Sequence, residues 1–244
     1  MKLVLIGGGN TVRDDQKKPY NLDEIDNQIV KLANKKYPRF LYIGFNIRAD
    51  YYFSHLKKTF MEKGCQCEYL RFSEFCNAKT VENKFKRADI IFLPGGNTLD
   101  YMKKIRKYKI DDYIKSSAER GVVIAGISAG AIMCCEYGCS DSIKSDAVPR
   151  RYMKVRGLGL VNGLVAPHFS NSDRIYDLPR MLKGLKRIIA FGIDECASLI
   201  VVGDEYRVVK SSDDARVFKC YYKNNDYISQ EIKESGTIFN LYQR

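Results

Sequence analysis

The chain lacks several features that would narrow its role at once. In 244 residues it has no tryptophan, two histidines and six prolines. It has no apolar run of about 18 residues, so a membrane-spanning helix is not expected. The opening Met1–Gly7 turns glycine-rich too quickly for a signal peptide. A cytoplasmic setting follows as the expectation, with the eight cysteines (65, 67, 76, 134, 135, 139, 196 and 220) as reduced thiols. Cys65-Gln66-Cys67 and Cys134-Cys135 lack a second pair at zinc spacing, so neither a metal nor an organic cofactor is expected. No zinc-finger, RRM or KH signature, internal repeat, low-complexity stretch or linker interrupts the sequence. One α/β domain spanning 1–244 is the expected organisation.

What is present is ordinary for a globular chain with a sizeable core: 45% hydrophobic and 29% charged residues. Lys plus Arg is 41 against 29 Asp plus Glu, a formal charge of +12. Such an excess raises nucleic acid, membrane surfaces and acidic small molecules as partners. Here it is scattered through Lys17-Lys18, Lys35-Lys36, Lys57-Lys58, Lys103-Lys104 and Arg150-Arg151, with no stripe of interleaved aromatics. Solvated basic faces account for it, and neither nucleic acid nor membrane is an expected partner.

Short apolar runs alternate with helical patterns. Strands are predicted at Lys2–Ile6, Phe40–Gly44, Cys67–Phe72, Asp89–Leu93 and Val122–Ile127, and helices at Leu22–Lys36, Tyr51–Lys63, 98–107 and Asp111–Arg120. The uninterrupted apolar run at Val122–Ile127 marks a strand buried on both faces. This rhythm predicts an α/β fold, a mostly parallel sheet between helices. After residue 188 the texture changes. Arg187–Phe191, Ala197–Val202, Arg207–Lys210 and Arg216–Tyr222 read as antiparallel strands appended to the sheet.

The sharpest chemical signal is Gly126-Ile127-Ser128-Ala129-Gly130, with a strand before it and a helix after it. That is the context of a nucleophile elbow. The small flanking residues permit a sharp turn that lifts Ser128 above the sheet's carboxyl end. The helix N-terminus that follows offers N–H groups to a developing oxyanion, Ala129 first. A serine needs a base. His55 falls within a helix, whereas His168 follows the apolar run Leu164–Pro167 at a strand end, where α/β sites form. Leu93-Pro94-Gly95-Gly96-Asn97-Thr98 ends another strand. Its glycines let backbone N–H groups approach a substrate, and Asn97 or Thr98 caps the next helix. The group that orients the imidazole is left open by the residues alone: Asp141 is favoured, with Asp146, Glu136 and Glu195 as rivals. Asp173 reads instead as part of a capping box in Ser170-Asn171-Ser172-Asp173.

Taken together and in this order, Leu93–Leu99 (LPGGNTL), Gly126–Ala131 (GISAGA) and Pro167–Phe169 (PHF) resemble the peptidase E family of serine peptidases, relatives of the cyanophycinases. The resemblance covers roughly residues 1–203. It implies a three-layer fold similar to class I glutamine amidotransferases, with serine where those enzymes carry cysteine. It also implies a Ser128, His168, Asp141 triad, an oxyanion hole of Gly96 and Ala129 N–H groups, and dipeptide substrates with N-terminal aspartate. Arg150, Arg151 and Arg156 are candidates for meeting that carboxylate, and Asn97 for contacting substrate. Peptidase E carries tryptophan before the serine and Thr-Asn-Asp around its acidic residue; this chain has Ile127 and Ser140-Asp141-Ser142. The expected partner is a small peptide, bound by a monomer or homodimer. A cyanophycinase-like or esterase hydrolase, and a non-catalytic binding module on the same scaffold, are the alternatives.

Overall fold

The structure is a computed structural model that describes residues 1–11, 21–46, 49–143, 152–170, 172–185, 188–232 and 234–242. Its first half alternates: β1 (Lys2–Ile6), α1 (Asp23–Ala33), β2 (Arg39–Ile43), α2 (Ala49–Glu62), β3 (Gln66–Leu70), α3 (Ala78–Arg87), β4 (Ile90–Leu93), α4 (Thr98–Lys107), α5 (Ile110–Glu119) and β5 (Val123–Ile127). A short α6 (Ala129–Cys134) runs straight into β6 (Cys135–Ser140), followed by β7 (Met153–Arg156), β8 (Val161–Pro167) and α7 (Arg174–Leu182). Then come β9 (Ala190–Ile193), β10 (Ala197–Val202), β11 (Glu205–Lys210), β12 (Val217–Lys223), β13 (Asp226–Glu231), β14 (Ser235–Thr237) and α8 (Ile238–Tyr242).

Among the described residues the strands form two sheets. The larger has the order β14-β11-β10-β1-β5-β4-β2-β3 and is parallel from β1 through β3. Its strands alternate between two covered faces, as period-two geometry dictates. Val4, Ile6, Tyr42, Phe92 and Ile127 pack with Ile25 and Ile29 of α1 and with Leu56 and Phe60 of α2. Leu3, Leu5, Ile43, Leu93 and Ile124 face α3 to α6 through Val81, Tyr101, Ile105, Ile114 and Ala129. Both faces are therefore apolar, which explains the continuous hydrophobic run in β5. Helix α1 stops short of its predicted end because Asn34 takes a left-handed conformation (φ 51°) and closes the last turn.

The appended strands do not all join that sheet. β10, β11 and β14 extend it in antiparallel fashion from β1. β9, β12 and β13 belong instead to a six-stranded sheet of order β13-β12-β9-β8-β6-β7, in which β8 is parallel to both β6 and β9. One face of this second sheet shares the core of α6 through Val165, Phe191 and Ile193. The other is covered by Leu178, Met181 and Leu182 of α7. The carboxyl ends of β1, β5 and β8 meet between the sheets: Ser128 N–H donates to Ile6 O (2.9 Å) and His168 N–H to Gly7 O (3.2 Å).

Candidate active site

Ser128 sits between β5 and α6 at φ 54°, ψ −110°, a conformation that costs an L-residue about 1–3 kcal/mol and persists only where its surroundings impose it. The surroundings here are steric. A Cβ on Gly126 would lie 2.4 Å from the Gly130 carbonyl carbon, and one on Gly130 would lie 2.0 Å from Leu93 O. Glycine on both sides of the serine is thus a packing requirement of strand, turn and helix at this spacing. Ala129 opens α6, so its N–H is among those with no intrahelical acceptor.

His168 ends β8 with its own positive φ of 51°. Its Nε2 lies 2.9 Å from Ser128 Oγ, and its Nδ1 lies 3.1 Å from Glu195 Oε1. A carboxylate only accepts, so in the neutral imidazole Nδ1–H donates to Glu195 and Nε2 accepts the Ser128 hydroxyl proton. Burial pushes the His168 pKa below the ordinary histidine value, and the Arg174 charge lowers it further; the Glu195 hydrogen bond and charge work the other way. The ring is therefore held as a neutral acceptor at neutral pH. Gly8 makes room for it: a Cβ there would stand 2.4 Å from the imidazole Nδ1.

The structure thus places Glu195, not Asp141, on the far side of the imidazole. Asp141 Oδ2 is 3.3 Å from Arg174 Nη2, and Arg174, only 4% exposed, also donates from Nε to Cys139 O (3.1 Å). A buried guanidinium needs a counter-charge, and Asp141 supplies it. Glu136 pairs with Arg156 (3.2 Å), and Asp146 lies outside the described residues. Asp173 holds the N-cap position of α7 without a side-chain capping bond; Ser172 Oγ accepts the Arg174 N–H instead (3.4 Å) and donates to His168 O (2.7 Å). His55 sits on α2, its ring against Tyr51. Glu195 was one of four acidic candidates in the sequence. What sets it apart is its place in the connection from β9 of one sheet to β10 of the other, where Cys196 N–H donates to Gly8 O (2.9 Å).

The Gly95-Gly96 turn comes up beside the serine: a Cβ on Gly95 would lie 3.5 Å from Ser128 Cβ. Gly96, at φ 143°, has no room for a side chain, because Tyr101 Oη would be 2.0 Å away. The Tyr101 hydroxyl donates to Gly95 O (3.2 Å) and accepts from Asn46 Nδ2 (3.2 Å), while its ring stacks on Phe45 (4.2 Å between centroids). Asn97 caps α4 by accepting Asp100 N–H (3.0 Å), and its amide donates to Ser142 O (3.1 Å). Both polar ends of Asn97 are thus engaged in structure, although the residue borders the cavity described next. Of the arginine candidates, Arg156 is tied to Glu136 and does not line that cavity, and Arg150 and Arg151 lie outside the described residues.

Ser128 and His168 open onto a cavity of about 320 Å³, within the range of small-molecule sites. Its walls include Gly8, Gly9, the Pro94–Asn97 turn, Tyr42, Leu56, Phe92, Tyr101 and Ile127. Among the described residues no group of His, Cys, Asp and Glu is disposed to hold a metal ion, and no helix is long and apolar enough to cross a membrane.

Comparison with known proteins returns peptidases. The chain is 24% identical over 221 residues to the uncharacterized peptidase YgaJ of Bacillus subtilis (strain 168), covering 89% of this chain and 91% of that protein. The crystal structure of a peptidase from an acI-B1 Actinobacterium superposes with a TM-score of 0.71 at 21% identity, covering 97% of this chain and 96% of the other. A putative peptidase E protein from Listeria monocytogenes EGD-e gives 0.61 at 16% identity, over 86% and 98%. These two structures share the fold. The model of peptidase family S51 matches residues 3–209, and the chain belongs to that family.

Proposed function

We propose that this peptidase hydrolyses short peptides by acyl transfer, with Ser128 as nucleophile, His168 as general base and acid, and Glu195 as the group that orients the imidazole. Ser128 Oγ attacks the scissile carbonyl while His168 Nε2 takes its proton. The oxyanion that forms faces the N–H groups of Ala129 and Gly96. Each such donor contributes about 3–4 kcal/mol to lowering the barrier. His168 then protonates the leaving amine, and water repeats the sequence to free the acyl product. All protons stay between Ser128, His168, water and substrate, so Glu195 remains a carboxylate throughout.

The observation that carries this reading is the 2.9 Å contact between Ser128 Oγ and His168 Nε2, made while the serine is held in a strained turn at a helix N-terminus. The N-terminal aspartate preference implied by the resemblance is the finer part of the reading. No lysine or arginine stands among the described residues lining the cavity to meet such a carboxylate. A panel of Asp-X, Glu-X, Asn-X and neutral dipeptides, with Ser128→Ala as control, tests both parts. Hydrolysis by the wild type is expected to disappear in Ser128→Ala, and a fluorophosphonate is expected to label Ser128. Equal turnover by the two proteins, or a folded wild type that does not label, would refute the assignment.

A further inference from the structure

His168 is held at its ring and at its backbone. The ring bonds, to Ser128 and Glu195, are those the chemistry uses. The backbone bonds decide where the ring can reach. His168 N–H donates to Gly7 O (3.2 Å), and Ser172 Oγ donates to His168 O (2.7 Å). Phe169 N–H, the other end of the same peptide group, donates to Ile193 O (3.2 Å). The peptide plane after the histidine is therefore fixed at both its polar ends. That plane matters because His168 stands at φ 51°, a left-handed conformation that a residue with a Cβ keeps only where its surroundings impose it. Freeing this peptide would let the backbone relax and carry the imidazole away from Ser128.

The surroundings of the Ser172 oxygen aim its proton. A hydroxyl has one proton to give and two lone pairs. The Arg174 backbone N–H (3.4 Å) and Nη1 (3.5 Å) approach from the acceptor side, so the proton goes to His168 O. Arg174 is itself anchored. It is 4% exposed, with Nε donating to Cys139 O (3.1 Å), Nη2 beside Asp141 Oδ2 (3.3 Å) and its guanidinium 4.6 Å from the Tyr152 ring centre. Its charge reaches the imidazole, where it lowers the His168 pKa. A serine ahead of a helix ordinarily only accepts from the helix's first N–H groups. This one also donates back four residues, to the histidine. Because α7 begins only at Arg174, the bond is not the back-bonding of a serine inside a helix. We infer that Ser172 is a positioning residue for the general base: its hydroxyl, aimed by Arg174, holds the His168 carbonyl and thereby keeps Nε2 in reach of Ser128 Oγ. The inference rests on His168 being that base.

The rate at which a fluorophosphonate labels Ser128 in the full-length protein reads this directly, with no peptide substrate needed. Ser172→Ala is expected to slow the saturated labelling step at least ~10-fold while the half-saturating reagent concentration changes less than ~2-fold. That split marks a misplaced base rather than a lost binding contact. Ser172→Cys, of similar shape but a weak donor, is expected to behave as Ser172→Ala does. Ser172→Thr keeps the hydroxyl and is expected to label within ~3-fold of wild type. Urea unfolding of each variant separates slow labelling from loss of fold. Should Ser172→Ala not fold, Ser172→Cys and Ser172→Thr carry the comparison. Wild-type labelling by a folded Ser172→Ala or Ser172→Cys protein, or a Ser172→Thr protein as slow as they are, would overturn the positioning role while leaving the base in place. A wild type that does not label, or a His168→Ala protein that labels as fast as wild type, would bring down the nucleophile or the base, and the role of Ser172 with it.

Discussion

The serine and the histidine stand on supports of different construction. Ser128 ends β5, a central parallel strand with apolar cover on both faces, and its turn is enforced by backbone-to-backbone contacts at Gly126 and Gly130. His168 ends β8 of the second sheet, where parallel and antiparallel neighbours are mixed, and its ring is held by Gly8 from β1's end and by Glu195 from the crossing between sheets. The first support is written mainly in one stretch, Val123–Gly130, seated against Leu93 and Ile6. The second is assembled from three distant segments, the ends of β8 and β1 and the crossing that carries Glu195. A strained elbow can be written in a short motif, whereas the hydrogen bonds around the imidazole beside it depend on long-range return of the chain.

The largest expected effect tests that difference directly. Glu195→Ala is expected to lower kcat/KM by about 10³-fold, because the imidazole loses the partner that fixes its tautomer. Asp141→Asn is expected to lower it less than ~10-fold and to show its cost in thermal unfolding instead, through the uncompensated Arg174. The reverse ranking in steady-state kinetics would return Asp141 to the imidazole. Next, Gly130→Ala is expected to destabilise the fold by about 2–3 kcal/mol in urea unfolding, since both clashing partners are backbone. A neutral result would mean that the elbow tolerates what its geometry forbids.

Tyr101→Phe comes third. It removes one hydroxyl that ties the Gly95-Gly96 turn to Asn46, and kcat is expected to fall by about 10-fold with KM little changed, alongside slower fluorophosphonate labelling. A rise in KM alone would make Tyr101 a substrate contact. The smallest effect concerns pH. In the proposed role of base, His168 has to be neutral, and its pKa is depressed by burial and Arg174. Activity is therefore expected to hold as pH falls through the ordinary histidine range, about 6.5, and to disappear only below it. Asp141→Asn removes a charge that raises the His168 pKa, so its acid limb is expected to move lower still. A wild-type limb above pH 6.5 would contradict the buried, neutral ring.

Much of this was legible before any coordinates. β1, β5 and the alternation around them follow from apolar runs, since strands buried on both faces cannot hide their composition. Ser128, His168 and the Gly95-Gly96 turn announce themselves at strand ends. The division into two sheets was not legible: Leu164–Pro167, Arg187–Phe191 and Arg216–Tyr222 read as strand-like runs, but an apolar run does not say which neighbour a strand pairs with. Asp141 attracted attention by sequence proximity, but Arg174, from a helix over thirty residues later, captures it. Glu195 has no local signature. The glycines after β1 did carry one: a triplet at a strand end where an imidazole and a neighbouring turn must come within contact distance.

The pairing of β10 against β1 has a consequence for the nascent chain. The first strand synthesised acquires one neighbour once residue 127 is made and the other only after residue 202. Until that late hairpin docks, the loop that presents Glu195 has no seat on Gly8, and one edge of β1 stays open to other strands. An intermediate at that stage would lack the Glu195 contact to the His168 ring. On the assignment proposed above, hydrolysis would await the closing of the sheet, the stage at which the open edge of β1 is also covered.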